Sequence, residues 1–318
     1  MSSTINGELI RGLYNVRSDH YGNAVTIGSF DGVHRGHQSI LDQLKSQAES
    51  LSLHSLVMIF EPQPHEFFSG ERAPARLMRL KEKVIALFEH GIDRVCCLPF
   101  NHKLSELSAN DFVKQVLVDA LGTKYLVIGD DFRFGARRLG DYAQLQTLGE
   151  QYGFDVSNTH SFLVEGKRVS STLIRSLLEQ NQFSKAAQLL GKPYTISGRV
   201  VVGKQLGRQL DAPTANVHLH RYRSPLSGVF AVRVKLPFGD FSEGVANVGV
   251  RPTLGGDAKP ILEVHLFDRS DNLYGVDIVV EFKHKLREEQ RFDGLDALKQ
   301  QIQRDMAQAR EFFQKTAP

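Results

Sequence analysis

The spacing of apolar residues changes its period near residue 187, and this change limits the chain to folds with two different halves. From Ala24 onward, short apolar runs alternate with amphipathic helices, which is typical of a parallel sheet covered by helices. From Tyr194 onward, predicted strands follow one another, as in an antiparallel sheet or barrel. We therefore predict domains 1–187 and 188–318. The predicted second-half elements are strands 194–203, 214–220, 228–236, 241–250, 262–268 and 276–286, and a helix at 295–314.

Length, charge and cysteine content narrow the class of protein. A chain of 318 residues is at or beyond the length at which a single core usually divides. A formal net charge of +3 is only weak evidence for a polyanionic partner such as nucleic acid, whereas a small phosphorylated ligand needs only local charge. Cys96 and Cys97 are neighbours on a predicted strand and point to opposite faces, which argues against a disulfide framework. No sustained apolar segment occurs in residues 1–16, so we expect neither a signal peptide nor a membrane helix, and a cytoplasmic protein.

The first half contains one stretch, residues 24–37, that packing alone explains poorly. A short β-branched strand runs into a turn with three glycines, and the apolar spacing of residues 38–48 predicts a helix. His34 and His37 therefore lie where a helix begins, and free N–H groups and the macrodipole make that end a phosphate site. The alternative is that one histidine caps the turn while the other packs against the sheet. No Gly-Lys-Ser/Thr follows, so this is not a Walker loop.

Two further loops of the first half carry candidate ligand-binding residues. Residues 129–135 follow a predicted strand, and ligands of open α/β sheets collect beyond the carboxyl ends of strands. Asp130 and Asp131 in that loop have turn formation as the alternative. Residues 168–175 place three hydroxyls at a helix start, one turn before an arginine, which favours an anion, although plain capping is the commoner use.

In the second half, residues 198–216 combine a glycine-containing segment with an extended strand start. Gly203 and Gly207 allow a flap whose amides approach a phosphate. Thr214 and Asn216 present two neutral oxygens on one strand face, which suits Mg²⁺. The alternative is that Pro-Thr-Ala-Asn merely starts a strand after a turn.

The strand at residues 262–268 carries a candidate general base. Alternation puts Glu263 and His265 on one face and three apolar residues on the other. A carboxylate facing a barrel mouth suits deprotonation of a primary hydroxyl. A solvated strand carboxylate is the alternative.

The motif Gly-Ser-Phe-Asp-Gly-Val-His-Arg-Gly-His at residues 28–37 resembles the His-x-Gly-His signature of the adenylyltransferase family. Its Phe-Asp-Gly-Val-His version resembles the bacterial bifunctional riboflavin kinase/FAD synthetase family. Residues 129–135 and 170–175 also resemble that family's nucleotide-contacting segments. The resemblance implies an N-terminal Rossmann-like nucleotidyltransferase domain with a parallel sheet. Its implied nucleotide-binding residues are Gly28, Phe30, Asp31, Gly32, His34, His37, Asp131, Ser170, Ser171, Thr172 and Arg175.

The second half resembles riboflavin kinase, which implies an antiparallel Greek-key β-barrel with a long terminal helix. The resemblance implies that Glu263 is the base and flavin-contacting residue, that Thr214 and Asn216 hold the metal, and that Arg287 and Arg291 reach the flavin. Residues 247–253 and 286–292 are similar to segments that close over the flavin in that family. Val202 and Asp211 depart from the usual His and Gly, and Asp211 adds negative charge near the phosphate site. The implied kinase nucleotide-binding residues are Gly203, Lys204, Gly207, Arg208, Thr214 and Asn216.

The whole-chain resemblance implies two ATP-dependent transferase reactions. Riboflavin would be phosphorylated to FMN, and FMN would be adenylylated to FAD and pyrophosphate, with Mg²⁺ as the metal and His34, His37 and Glu263 as catalytic residues. We expect ATP, riboflavin and FMN as small-molecule substrates, neither nucleic acid nor membrane as partner, and a monomer or weak homo-oligomer. The alternatives are a kinase with an inactive adenylyltransferase domain, a flavin-binding regulator without turnover, and a transferase for another small molecule, which the second half disfavours.

Overall fold

The chain folds into two compact units, Met1–Pro74 with Leu80–Ser171, and Ala75–Arg79 with Thr172–Pro318. The computed structural model describes residues 7–159, 162–203, 212–237, 239, 241–251, 259–269 and 271–316. The fold class predicted from the sequence is confirmed in both units. Each unit is described by itself below.

The first unit is built on a six-stranded parallel sheet in the order β1-β4-β3-β2-β5-β6. Its centre is buried by β-branched and aliphatic side chains, and all five residues of β2 are buried. A parallel sheet needs crossover helices, which accounts for the alternating pattern of this half. The strands are β1 (Glu8–Arg11), β2 (Asn23–Ile27), β3 (His54–Glu61), β4 (Arg94–Pro99), β5 (Thr123–Gly129) and β6 (Asp155–Thr159), with a small hairpin of β7 (Leu163–Val164) and β8 (Lys167–Arg168).

The helix predicted over residues 38–48 is confirmed as α1, which spans Arg35–Ser50. A π-helix, Phe112–Ala120, directly continues the short helix Ala109–Asp111. The helices are α1 (Arg35–Ser50), α2 (Pro64–Ser69), α3 (Leu80–Glu89), α4 (His102–Ser105), α5 (Ala109–Asp111) and α6 (Tyr142–Tyr152), with α7 (Ser171–Glu179) spanning the division between the units.

The strand order places a topological switch point between β2 and β5. The chain moves from β2 to β3 and β4 on one side, and then returns to β5 on the other side of β2. Because both strands are parallel neighbours, the turn after Ile27 and the loop after Gly129 leave the same edge of the sheet. This is where open α/β sheets bind their ligands.

The second unit contains a closed six-stranded antiparallel barrel in the order β10-β13-β12-β11-β14-β9. Strands β11, β12 and β13 form a meander, and β14 returns beside β11, which is the Greek-key arrangement. The elements are α8 (Phe183–Leu190), β9 (Thr195–Val201), β10 (Ala215–His218), β11 (Gly228–Lys235), β12 (Phe241–Arg251), β13 (Lys259–Leu266), β14 (Asp277–Arg287) and α9 (Leu295–Thr316).

The barrel has an apolar interior and an outer face that is partly covered by α9. Phe230 and Phe282 pack edge to face at 5.3 Å inside the barrel. Ala309 and Phe313 of α9 pack on Ala231, one residue along β11 from Phe230 and therefore on the opposite face. The residue alternation of each strand thus distinguishes the core from the outer surface.

The segment Ala75–Arg79 belongs to the second unit although it lies early in the sequence. Leu77 is fully buried, and its carbonyl accepts a hydrogen bond from the Tyr194 hydroxyl at 3.2 Å. Arg221 Nη1 donates to the Arg76 carbonyl at 2.9 Å. Nothing in the local sequence predicted this assignment, because the partners are more than a hundred positions away.

Among the described residues, no helix combines the length and apolarity that crossing a membrane requires.

Candidate active sites

The turn between β2 and α1 is held in an uncommon backbone conformation. Phe30 and Val33 adopt positive φ angles of 44° and 41°, and Gly32 has φ of 90°. Left-handed conformations are unfavourable for a β-branched residue such as Val33 and concentrate at functional sites. The side chains of Phe30 and Val33 are buried, so core packing holds the turn in this shape.

His34 and His37 are brought together at the first turn of α1, as the sequence predicted. His34 is the N-cap residue, and its Nδ1 accepts a hydrogen bond from the His37 backbone N–H at 3.2 Å. The two imidazole rings stack at 3.6 Å between centroids with an interplanar angle of 13°. A Cβ at Gly36 would lie 3.2 Å from His34 Nδ1, so glycine keeps the space beside the ring open. The capping alternative is therefore correct for His34.

His37 carries an unused polar atom at this site. Its Nδ1 is shielded from solvent and has no hydrogen-bond partner among the described residues. Burial lowers the pKa of His37 well below its ordinary value, and the positive charges of His34 and Lys83 lower it further. His37 is thus a neutral imidazole at neutral pH, with one ring nitrogen to donate and one to accept.

Lys83 is a residue that the sequence analysis missed. It is 1% exposed in the first turn of α3, where its neighbours Val84 and Leu87 are also buried. A lysine on the apolar stripe of a helix was a detectable signal, because buried lysines are rare unless they are paired. It supplies positive charge near His37.

The other predicted residues of the first unit lie along the same sheet edge. The Asp31 carbonyl accepts a hydrogen bond from Ser171 Oγ at 2.8 Å, and Asp31 itself is 2% exposed. Asp131 forms an ion pair with Arg168 at 2.8 Å. Asp130 and Asp131 form a turn closed by the Phe132 N–H on the Gly129 carbonyl at 3.1 Å. The turn interpretation of these aspartates is therefore correct, and Asp131 remains at the surface.

Thr172 and Arg175 belong to the second unit, since the division falls after Ser171. Arg175 Nε donates to the Ala75 carbonyl at 2.5 Å. The Arg175 side chain is thus hydrogen-bonded to Ala75–Arg79, the segment from the first part of the sequence that belongs to the second unit.

In the second unit, the barrel register places three predicted or polar residues side by side. Asn216 of β10 lies opposite Glu263 of β13, and Glu263 lies opposite Asn247 of β12. We call Asn216, Glu263 and Asn247 the polar row. Directly opposite residues have Cβ atoms about 4.5–5.5 Å apart, so neighbours within the row can act on one substrate.

Asn216 carries a buried oxygen without a partner. The residue is 3% exposed, Nδ2 donates to the Thr214 carbonyl at 3.3 Å, and Oδ1 has no hydrogen-bond partner among the described residues. A Cβ at Gly203 would lie 2.4 Å from Nδ2, so only glycine lets the chain cover Asn216 so closely. Neutral oxygens at Asn216 and Thr214 fit a hard cation.

Glu263 lies on the outer face of the barrel rather than at the barrel mouth that the sequence suggested. Leu262 and Val264 beside it are buried in the interior, so alternation points Glu263 outward. His265, on the same face, donates from Nδ1 to the Pro213 carbonyl at 3.0 Å, since a carbonyl can only accept. This bond fixes the chain immediately before Thr214.

Arg287 is held by a carboxylate that the sequence analysis did not consider. Its Nε lies 2.9 Å from Asp305 Oδ1 and its Nη2 lies 2.8 Å from Oδ2, and Asp305 of α9 is 2% exposed. This bidentate pair ties the end of β14 to the terminal helix. Arg291 is exposed beyond the end of β14. Their assignment to the flavin stays a prediction.

Four residues singled out in the sequence lie outside the described residues, namely Lys204, Gly207, Arg208 and Asp211.

Comparisons with known proteins match both units. A family model for FAD synthetase matches residues 16–173, and one for riboflavin kinase matches residues 190–313. The bifunctional riboflavin kinase/FMN adenylyltransferase of Pseudomonas fluorescens is 52% identical over 303 residues, which cover 95% of this chain and 97% of that protein. This chain belongs to that family. The Escherichia coli member of the family is 49% identical over 313 residues, covering 98% of this chain and 99% of its own.

A solved structure agrees with the family's two-unit fold. The crystal structure of a Streptococcus pneumoniae protein described as a macrolide-efflux protein has a TM-score of 0.76 and 25% identity, and covers 98% of this chain and 100% of that one. Members of the riboflavin kinase/FMN adenylyltransferase family are named for two transferase activities, and the chain has two polar sites, one in each unit.

Proposed function

We propose that this chain is a bifunctional transferase that phosphorylates riboflavin with ATP to give FMN, and then adenylylates FMN with a second ATP to give FAD and pyrophosphate. The observation that carries this proposal is the match to such enzymes over 95% of the chain, together with a separate polar site in each matched unit. The kinase domain is residues 188–318 and the adenylyltransferase domain is residues 1–187.

In the kinase site, Glu263 takes the proton from the riboflavin 5′-hydroxyl as that oxygen attacks the γ-phosphorus of ATP, the bond to the β–γ bridging oxygen breaks, and ADP leaves. General-base assistance requires a carboxylate within hydrogen-bond reach of the hydroxyl. The position of Glu263 between Asn216 and Asn247 in the polar row supports this role. The residues that contact the nucleotide are Gly203, Lys204, Gly207 and Arg208, and those that contact the flavin are Arg287 and Arg291.

Magnesium is the divalent metal that best fits Asn216 and Thr214. Both offer neutral oxygens, and the buried Asn216 Oδ1 lacks a partner among the described residues, as a metal-ligand oxygen would. Mg²⁺ prefers one or two protein oxygens together with phosphates and water, and it neutralises the charge of a transferring phosphoryl group. Thr214 and Asn216 thereby orient the nucleotide beside Glu263.

In the adenylyltransferase site, an oxygen of the FMN phosphate attacks the α-phosphorus of ATP, and pyrophosphate leaves. The nucleophile is already an anion, so a protein base is not needed. The lowered pKa of His37 supports its action as a neutral donor at the α-phosphate, beside the Nε2 of His34. Because a neutral imidazole adds no charge, the helix N-terminus and Lys83 supply the electrostatic stabilisation.

The remaining predicted residues of this site line the bound nucleotide. The departing phosphates are held by Ser170, Ser171, Thr172 and Arg175. Asp131, which follows β5, contacts the nucleotide. The turn residues that approach ATP are Gly28, Phe30, Asp31 and Gly32. We further propose a cytoplasmic location and a monomeric or weakly oligomeric state.

Chromatography of flavins after incubation with riboflavin and Mg-ATP tests the proposal. We expect FMN to appear first and FAD to follow. FMN without FAD would identify a kinase with an inactive adenylyltransferase domain. Absence of ATP consumption would identify a flavin-binding regulator and overturn the proposal.

A further inference from the structure

A second carboxylate lies beside the polar row without having been assigned a role. Glu289 follows β14. The residue is exposed overall, but its carboxylate packs against Gly249 of β12. A Cβ built on Gly249 would lie 2.1 Å from Glu289 Oε1 and 3.4 Å from Asn247 Nδ2. The carboxylate therefore occupies space that only a glycine at position 249 leaves open.

Glu289 accepts a hydrogen bond from the Asn247 side chain. An ionised carboxylate only accepts, so the carboxamide must turn its Nδ2 toward Glu289. The other end of that carboxamide, Oδ1, is shielded from solvent and has no hydrogen-bond partner among the described residues. Glu289 thus fixes the orientation in which Asn247 presents a free acceptor.

The charge environment agrees with this placement. Burial raises the pKa of Glu289, and the nearby negative charge of Glu263 raises it further, while Arg287 and the Asn247 bond act in the opposite direction. Glu289 and Glu263 therefore lie close enough to interact electrostatically, with Asn247 directly opposite Glu263 in the sheet.

The positions of the two asparagines in the polar row suit two different ligands, a metal ion at Asn216 and the alcohol substrate at Asn247. Asn216 and Asn247 are on the two strands that flank β13, about 9–10 Å apart at the usual strand spacing. The two free oxygens are too far apart to be natural ligands of one small Mg²⁺ ion. With the metal and phosphate at Asn216 and the base at Glu263, the body of the alcohol substrate must lie on the Asn247 side.

We propose that Asn247 Oδ1 accepts a hydrogen bond from a hydroxyl of the polyol chain of the alcohol substrate, and that Glu289 is the positioning residue that holds the carboxamide for it. This inference rests on the proposed kinase function and assigns the substrate side of that same site. Asn247 orients the hydroxyl chain, and Glu263 then meets the terminal hydroxyl.

The test is the steady-state kinetics of FMN formation for a set of variants. Glu289→Ala should raise KM for riboflavin roughly 3- to 10-fold, the value of one lost neutral hydrogen bond, with a smaller change in kcat and unchanged KM for ATP. Glu289→Gln keeps an acceptor oxygen and should restore a near wild-type KM. Gly249→Ala should reproduce Glu289→Ala, because the new Cβ displaces only the flexible end of Glu289.

A double-mutant cycle separates positioning from general disturbance. In an Asn247→Ala background, Glu289→Ala should have no further effect, since Glu289 acts through Asn247. Glu288→Ala is the matched control, because Glu288 is the neighbouring carboxylate and instead pairs with Lys285 on the surface. It should leave KM for riboflavin unchanged.

Three outcomes would overturn the inference while leaving the kinase function intact. They are an unchanged KM for riboflavin in Glu289→Ala, a Glu289→Gln variant as impaired as Glu289→Ala, and additive effects of Glu289→Ala and Asn247→Ala. Formation of no FMN by the wild-type protein would overturn both the kinase function and this inference, so the two failures are distinguishable.

Discussion

The two candidate sites are encoded in opposite ways. The centre of the first-unit site, with both histidines, comes from ten consecutive residues, 28–37, in which a strand end, a strained turn and a helix start follow one another. The second-unit site is assembled from Asn216, Asn247 and Glu263, which only the barrel register brings together. A local site survives any rearrangement that keeps its strand and helix, whereas a register-built site is lost when one strand slips by one residue.

The largest expected effect is that of Glu263→Ala, which breaks the register-built site alone. FMN formation should fall about 10²- to 10⁴-fold, the usual contribution of a general base, while supplied FMN is still converted to FAD. Flavin chromatography with each substrate measures both activities. Glu243→Ala is the control. Glu243 is another partly exposed carboxylate, and it lies on the face of β12 that also carries Asn247, the residue opposite Glu263. Loss of both activities together would contradict the assignment of separate sites.

Substitution of the two histidines should break the local site alone. The variants are His37→Ala and His34→Asn, and the asparagine retains a helix-capping oxygen. Each should lower FAD formation about 10²- to 10³-fold, because the transition state loses a hydrogen-bond donor. FMN should then accumulate from riboflavin. His54→Ala is the control, because His54 is exposed at the start of β3. Unimpaired FAD output would remove the imidazoles from the mechanism.

Asp305→Ala sharpens the comparison by testing what holds the register-built unit together. Removing this buried partner leaves the Arg287 charge uncompensated and should cost about 3 kcal/mol of unfolding free energy. Hydrogen-exchange protection of β11 and β14 amides measures the loss within the second unit. The control is Asp268→Ala, which breaks the exposed Asp268–Arg310 pair on the same helix and should change protection far less. An equal loss of hydrogen-exchange protection in the two variants would show that the buried pair stabilises the second unit no more than the exposed pair does.

The smallest expected effect is a pH dependence of the local site. Because the folded state lowers the pKa of His37, the unfolded chain binds a proton that the folded chain does not. This contribution to stability is complete above the unfolded pKa of about 6.5 and is lost as pH falls below it, by at most about 1.4 kcal/mol per pH unit.

Hydrogen exchange of β2 and β5 amides at pH 7.5 and 5.5 measures that dependence. The decrease should be smaller in His37→Gln than in the wild type, whereas exposed His54→Gln should retain the full decrease. Identical pH dependence in all three proteins would mean that His37 titrates normally.

Sequence periodicity predicted the six barrel strands, the terminal helix and helix α1, but short or context-dependent elements were missed. Strand β1 has four residues, two of them charged, and exists because it pairs with β4. The hairpin of β7 and β8 has two residues in each strand, too few for any period. Such elements depend on a partner that local propensity does not contain.

Residue type and spacing were therefore enough to predict the two-part architecture and the histidine pair at the start of α1, and to single out Glu263 as a candidate functional carboxylate. These features depend on neighbours within one turn or one strand. Three features arose only on folding. They are the side of the barrel that Glu263 faces, the capture of Arg287 by Asp305, and the meeting of Glu289 with Asn247 over Gly249. Each depends on which strands pair, in what register, and where the terminal helix packs, and these long-range contacts leave no periodic trace in the chain.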